Sequence, residues 1–162
     1  MSKADELAAS LKQKQHSRAD AEASADLAIE HWPTQVYDMY RQLETWLEPL
    51  IEAGLNIRRV PTRVFESLPT GETFNYAIDQ LLIEGNHHSI ILNPIARFIT
   101  GGTGRVDIQA KGKEIQMLRT ETDHGEPQWL IQANTAPGQP HAEPVELSES
   151  TFLTVIQKGL AL

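Results

Sequence analysis

The strongest hydrophobic pattern in the chain runs from residue 33 to residue 54. Its apolar side chains recur at intervals of three and four positions, which predicts an amphipathic helix with one broad apolar face. They are Val36, Met39, Tyr40, Leu43, Trp46, Leu47 and Leu50. Pro49 should weaken the last turns of this helix, and Gly54 is a typical residue just beyond a helix end. We expect the apolar face, with Trp46 on it, to pack in the core.

A weaker helical pattern precedes it. Residues 3–31 contain no glycine or proline and are rich in Ala, Leu, Glu, Gln and Lys, a composition that favours helix. The apolar stripe starts with Leu7 and Leu11, is interrupted by Lys14 and Arg18, and continues mostly as alanine. Because an isolated helix is only marginally stable, this segment depends on a neighbour, and we expect its first part to fray.

The junction between the two patterns lies at Trp32 and Pro33. Proline suits the first turn of a helix, so a new helix is predicted to start here. We therefore divide the chain into an N-terminal helical arm, residues 1–32, and a single domain, residues 33–162. Trp32, placed at the junction, is predicted to be a partly exposed contact residue.

After Gly54 the apolar positions alternate with polar ones, which is typical of half-buried strands. The first predicted strand starts at Leu55 and is interrupted at Pro61, and the last includes Trp129 and Ile131. Short polar turns separate the strands, so an antiparallel meander of about five or six strands is predicted. The order of helices and strands predicts an α+β fold, in which N-terminal helices pack on a twisted sheet.

The end of the chain is predicted to be a proline-rich surface loop, residues 134–144, followed by a short C-terminal helix. Ser148 is a suitable N-cap for this helix. Residues 149–160 then follow, with Phe152 and Ile156 facing inward at helical spacing.

The segment ARFITGGTGRVDI, residues 96–108, has two interpretations: a phosphate-binding loop and a tight corner between strands. A phosphate loop needs a helix after the glycines, so that the helix N-terminus faces the anion. Here an alternating segment follows instead, and neither G-K-[ST] nor G-x-G-x-x-G is present. We interpret Gly101, Gly102 and Gly104 as residues that supply positive φ angles at a hairpin corner.

Two other groups near this corner carry chemistry. Arg105 and Asp107 lie two residues apart, so strand geometry places them on one face. We interpret them as an ion pair, worth little at a surface, with a recognition spot beside the corner as the alternative. His87 and His88 are adjacent and would point to opposite faces, so they should not share a metal ion. We expect no metal and no cofactor.

Composition limits the classes of function. The net charge of −8 argues against a general nucleic-acid or membrane binder, since both need a basic surface. The chain has no cysteine, which excludes disulfides, thiol nucleophiles and cysteine-bound zinc. Its first residues form no long apolar run, so we do not interpret them as a secretory signal. We expect a cytoplasmic protein.

Carboxylates form two lines at helical spacing. The first carboxylate line is Glu22, Asp26 and Glu30, and the second carboxylate line is Glu44, Glu48 and Glu52. Like charges four residues apart cost about 0.2–0.5 kcal/mol per pair, and a basic partner would recover that cost. The second line lies opposite the apolar face and should be solvated. Both lines, with Trp32, Arg105 and Asp107, are the predicted partner-binding residues.

These features predict a non-enzymatic, cytosolic binding protein for a basic protein partner, such as an immunity protein or antitoxin. A secretion chaperone, usually a dimer, is a second hypothesis. A small enzyme or ligand-binding domain is the third, with its site on the sheet face or at the corner of residues 97–107, near Arg97, Arg105 and Asp107 and with His87 or His88 nearby. The alanine-rich stripe of the arm also permits a homodimer.

Overall fold

The computed structural model describes residues 2–133, 138–140 and 142–162. It confirms the α+β class: one long N-terminal helix, a seven-stranded antiparallel meander and a short C-terminal helix. The elements are α1 (Lys3–Glu52), β1 (Asn56–Ser67), β2 (Thr73–Gly85), β3 (His88–Ala96), β4 (Gly104–Ala110), β5 (Lys113–Glu121), β6 (Pro127–Ala133), β7 (Val145–Glu146) and α2 (Glu149–Gly159).

Helix α1 is a single element of 50 residues, so the predicted break at Pro33 is wrong. A capping box starts the helix, in which the Ser2 hydroxyl accepts a hydrogen bond from the backbone N–H of Asp5 at 3.2 Å. Proline inside a helix removes one backbone hydrogen bond and costs about 3 kcal/mol. Burial of Trp32 and Val36, on either side of Pro33, offsets this cost, since both are completely buried.

The sheet follows chain order from β1 to β7, and each strand pairs antiparallel with the next. Strand β1 therefore lies at an edge and pairs only with β2. This position explains why β1 continues through Pro61, where an interruption was predicted, because an edge strand tolerates a residue that cannot donate to the ladder. Strand β7 follows the predicted proline-rich loop and consists of two residues that pair with β6. Sequence analysis did not find this strand.

Both helices pack on the same face of the sheet. Strand register places one set of completely or nearly buried apolar residues on that face. They are Leu81, Ile83, Ile90, Leu92, Val106, Ile108, Met117 and Ile131. Trp46 of α1 and Phe152 of α2 join the two helices, with ring centroids 6.2 Å apart. The predicted N-cap of α2 is confirmed: the Ser148 hydroxyl accepts the N–H of Thr151 at 3.1 Å.

Helix α1 also closes the sheet where β2 and β3 separate. Their pairing covers Leu81 to Gly85 on β2, and Asp79 lies just outside it. The Tyr37 hydroxyl accepts a hydrogen bond from the Asp79 N–H at 2.8 Å, and the Tyr40 hydroxyl donates one to the Asp79 carbonyl at 2.9 Å. Two side chains of the helix thus satisfy backbone groups that the neighbouring strand leaves unpaired.

The two ends of α1 differ in burial. Every side chain from residue 3 to residue 24 is exposed, and we call this segment the free half. Its length is about 33 Å at 1.5 Å per residue. Residues 29–52, the packed half, contain all the buried residues of the helix. The fold therefore uses only one part of its longest element.

Candidate functional site

The first carboxylate line lies on exposed helix surface, at the end of the free half and just beyond it. Glu22, Asp26 and Glu30 are all exposed. Glu22 is 3.3 Å from the Arg18 guanidinium, with both side chains about half or more in solvent. Among the residues that the structure describes, neither Asp26 nor Glu30 takes part in an ion pair. The line therefore keeps most of its negative charge.

A fourth carboxylate approaches this line from the turn between β1 and β2. Partial desolvation, followed by the negative charges of Glu22 and Asp26, raises the pKa of Glu72. Arg18 acts in the opposite direction and is the weaker influence. The hairpin turn and the helix thus bring like charges together, and a cation placed between them would relieve their repulsion.

The second carboxylate line is partly used by the fold itself. Glu44 accepts a hydrogen bond from Arg59 at 3.4 Å, and each side chain is only about one third exposed. The Arg59 guanidinium also lies 5.0 Å from the ring centroids of both Tyr37 and Tyr40. The expectation that this whole line is solvated is therefore wrong for Glu44, although Glu48 is exposed.

Trp32 is not a surface residue, which corrects the prediction of a partly exposed contact. It is completely buried, and its ring lies 6.0 Å from that of Trp129 on β6. A Cβ atom at Gly104 would lie 2.3 Å from the Trp32 ring, so only glycine leaves room for the indole at this point of β4. Trp32 therefore fixes α1 to the sheet and cannot bind a partner in this fold.

Arg105 and Asp107 form the predicted ion pair. The Arg105 guanidinium donates two hydrogen bonds to the carboxylate, at 2.8 and 2.9 Å, and this bonding raises the pKa of Arg105. The pair is less exposed than predicted, since Asp107 is 3% exposed. This bidentate pairing satisfies the hydrogen-bonding atoms of the guanidinium and of the carboxylate. The two side chains are therefore held on β4 and are not presented at a mobile loop.

The glycine corner, residues 99–104, is a tight turn, as predicted. Ile99 and Gly102 form an isolated antiparallel bridge, and Gly101 has a φ of +82°. Gly102 does not have the positive φ that was predicted for it. Glycine is needed there because a Cβ would lie 2.8 Å from the Arg119 carbonyl oxygen. Close backbone approach, not phosphate binding, explains this glycine.

A buried carboxylate that sequence analysis missed holds the segment before this corner. Glu66 on β1 accepts hydrogen bonds from the backbone N–H groups of Arg97 and Phe98 at 2.9–3.0 Å. The hydroxyl of Tyr76 donates a further bond to it. Because its partners come from distant parts of the chain, nothing in the local sequence distinguishes Glu66 from an exposed glutamate. It anchors the region that the enzyme hypothesis named.

A cavity beside α2 also escaped sequence analysis. It has a volume of about 450 Å³ and lies between α2 and strands β4 to β6. Its walls are largely apolar, and three lysines, Lys111, Lys113 and Lys158, line it. An open depression of nearly equal volume, about 440 Å³, lies beside His87 and His88, with one carboxylate, Glu84, among the described residues of its lining.

Within the described ranges, no group of three or more histidine, aspartate or glutamate side chains could hold a metal ion. Neither helix, over the residues that the structure describes, is long and apolar enough to cross a membrane. Comparison of the chain with protein-family models, curated proteins and solved structures finds no significant match.

Proposed function

We propose that this protein is a non-enzymatic, cytosolic binding protein, and that the free half of α1, with the first carboxylate line, docks a basic protein partner. An immunity protein or antitoxin that neutralises a cationic toxin is the most specific form of this proposal. One observation carries it: residues 3–24 form helix that is exposed on every side.

The free half presents apolar residues as well as charge. Leu7 and Leu11 are 58% and 60% exposed, and residues four apart share one face of a helix. Leu27, just beyond the free half, is 53% exposed. A helix of this kind buries its apolar residues by lying in a groove of a partner. In the part of the chain that the structure describes, these leucines are left exposed, and a groove on the partner would cover them.

The negative charge of the site predicts a partner with a positively charged surface. Residues 19–31 contain four carboxylates and no lysine or arginine. Glu72 adds a carboxylate that is close enough for Glu22 and Asp26 to raise its pKa. Basic side chains of a partner would remove this repulsion, and opposite charge would also speed association.

The test uses two double variants with the same change in charge. In Asp26→Lys/Glu30→Lys the first carboxylate line is reversed, and in Glu48→Lys/Glu52→Lys the end of the second line is reversed. All four positions are exposed on α1. Each full-length chain serves as bait in cells that make it naturally, and a protein that co-purifies in stoichiometric amount is quantified by mass spectrometry and then titrated with the purified chains.

We expect a basic protein to bind the wild type and the Glu48→Lys/Glu52→Lys variant alike. Its affinity for the Asp26→Lys/Glu30→Lys variant should fall at least about tenfold, which corresponds to about 1.4 kcal/mol. Added salt should weaken the wild-type complex. An acidic partner, or equal affinity for both variants, contradicts the proposal. A measured turnover of a small metabolite by the purified chain would favour the enzyme hypothesis instead.

A further inference from the structure

The cavity between α2 and the sheet is independent of the free half. Ala110, Ile115, Ile131 and Ala133 form its sheet side, and the wall from α2 includes Val155. Ile115 and Ala133 are directly paired across β5 and β6, and Ile115 pairs with Ile108 of the core face. The cavity therefore continues the hydrophobic core to the surface at the side of α2.

The volume of the cavity, about 450 Å³, lies in the lower part of the range of 300–1,000 Å³ that is typical of small-molecule sites. Small residues leave this space open, because Ala110, Ala133 and Gly159 line it where larger side chains would fill it. Gly159 also allows close packing of α2, since a Cβ there would lie 2.6 Å from Ile90.

The charge of the cavity differs from that of the protein. The chain contains six lysines and has a net charge of −8, yet three lysines line this one cavity, and Glu143 is the one carboxylate among the described residues of the lining. Lys111 and Lys113 flank the turn between β4 and β5, and Lys158 lies in the last turn of α2. In the described part of the chain, none of the three takes part in an ion pair.

An apolar space with cations at its lining is complementary to an anion that carries an apolar chain. We propose that this cavity binds a free, single-chain aliphatic carboxylate. The hydrocarbon chain of this ligand lies against Ile115, Ile131 and Val155. Its carboxylate meets the ammonium groups of Lys111, Lys113 and Lys158. A lipid with two chains would leave one of them in water, because the volume is near the lower limit for a ligand site.

The experiment titrates the full-length protein with sodium decanoate, below the concentration at which it forms micelles, by isothermal titration calorimetry. Decanol is the uncharged probe of the same chain length, and acetate is the charged probe without a chain. The methyl resonances of Ile115, Ile131 and Val155 are followed by NMR in the same titration. Lys111→Gln/Lys113→Gln is the test variant, and Lys12→Gln/Lys14→Gln, on the free half of α1, removes the same charge far from the cavity.

We expect saturable binding of one decanoate per chain, with shifts of the three methyl resonances that follow the same curve. Affinity should fall at least about tenfold for Lys111→Gln/Lys113→Gln, because two of the three cations that meet the carboxylate are removed, and stay unchanged for Lys12→Gln/Lys14→Gln. Decanol and acetate should each bind at least about tenfold more weakly. The proposal is overturned if decanoate binding does not saturate, or if both lysine variants lose affinity for decanoate equally. It is also overturned if decanol binds as tightly as decanoate, or if binding requires vesicles of anionic two-chain lipid.

Discussion

The two halves of α1 have the same backbone conformation but opposite relations to the rest of the molecule. The packed half contains six buried residues, from Trp32 to Leu47. The free half has leucine at two positions of the corresponding stripe, then Lys14 and Arg18, and all of its side chains are exposed. Helical propensity is thus common to both halves, and the size of the apolar side chains decides which half joins the core.

Their charges differ in the same way. In the packed half, Glu44 pairs with Arg59, which also lies against two buried or half-buried tyrosines. In the first carboxylate line, Glu22 lies 3.3 Å from Arg18 at a largely solvated position, and Glu72 adds a further carboxylate whose pKa Glu22 and Asp26 raise more than Arg18 lowers it. A carboxylate that already pairs with a cation inside the fold offers little negative charge to a partner. The comparison therefore supports the proposal that a partner binds at the free half and the first carboxylate line.

The largest expected effect separates the two halves by stability. Trp32→Ala should lower the free energy of unfolding by about 3–5 kcal/mol, because it removes a completely buried indole. Leu11→Ala, in the free half, should change it by less than about 0.5 kcal/mol. Urea unfolding followed by circular dichroism measures both. A cost for Leu11→Ala above about 2 kcal/mol would mean that the free half is packed in solution.

The next effect concerns the buried carboxylate that holds the glycine corner. Glu66→Gln should cost about 1.5–3 kcal/mol of unfolding free energy, since an amide cannot accept all the hydrogen bonds from Arg97, Phe98 and Tyr76. Glu114→Gln, at an exposed position of β5, is the control and should be neutral. Hydrogen exchange of the Arg97 and Phe98 amides should be faster only in the first variant. Equal exchange in both variants would exclude the anchoring role.

A third effect appears at alkaline pH. Burial raises the pKa of Tyr40, and burial with the hydrogen bond to Glu66 raises the pKa of Tyr76. Above about pH 10 these groups ionise in the unfolded chain but stay protonated in the folded protein, so the unfolded state binds fewer protons. Stability is therefore constant below pH 10 with respect to these groups and falls above it, by up to about 1.4 kcal/mol per pH unit for each tyrosine.

The measurement is the free energy of unfolding against pH for the wild type and for Tyr76→Phe. The variant should show a shallower fall above pH 10, whatever its stability at neutral pH. If both slopes are the same, Tyr76 is not buried in its protonated form.

The smallest expected effect is that of removing the free half. A chain that starts at residue 25 keeps every buried residue of α1. Its thermal midpoint should lie within about 2 °C of the full-length value, because a change below about 0.5 kcal/mol is expected. Differential scanning calorimetry measures the shift. A larger decrease would show that the first residues contribute to the fold.

Sequence patterns predicted most of the fold because the spacing of apolar residues corresponds to the residues that are buried. The apolar face of residues 36–50 and the alternation after Gly54 both correspond to residues on the core side of the structure. The two wrong boundaries, at Pro33 and Pro61, come from a local rule that tertiary structure overrides. One proline lies between buried residues of α1, and the other lies on an edge strand.

The candidate site was predicted less completely. Spacing of four residues revealed the first carboxylate line, but not the approach of Glu72, which depends on the path of the β1–β2 hairpin. Trp32 was assigned to the surface because it lies beside a proline, whereas Gly104 on a distant strand makes room for it in the core. The cavity is lined by residues of β4, β5, β6, β7 and α2 and could not be found from any one of these elements.

The claim that residues 3–24 serve a partner rather than the fold is tested most directly by comparing two baits. Full-length protein and the chain that starts at residue 25 are used to capture binding proteins from the same extract at the same ionic strength. We predict that one basic protein is recovered in stoichiometric amount with the full-length chain and is absent with the shortened chain. Recovery of that protein in equal amount by both baits would contradict the account.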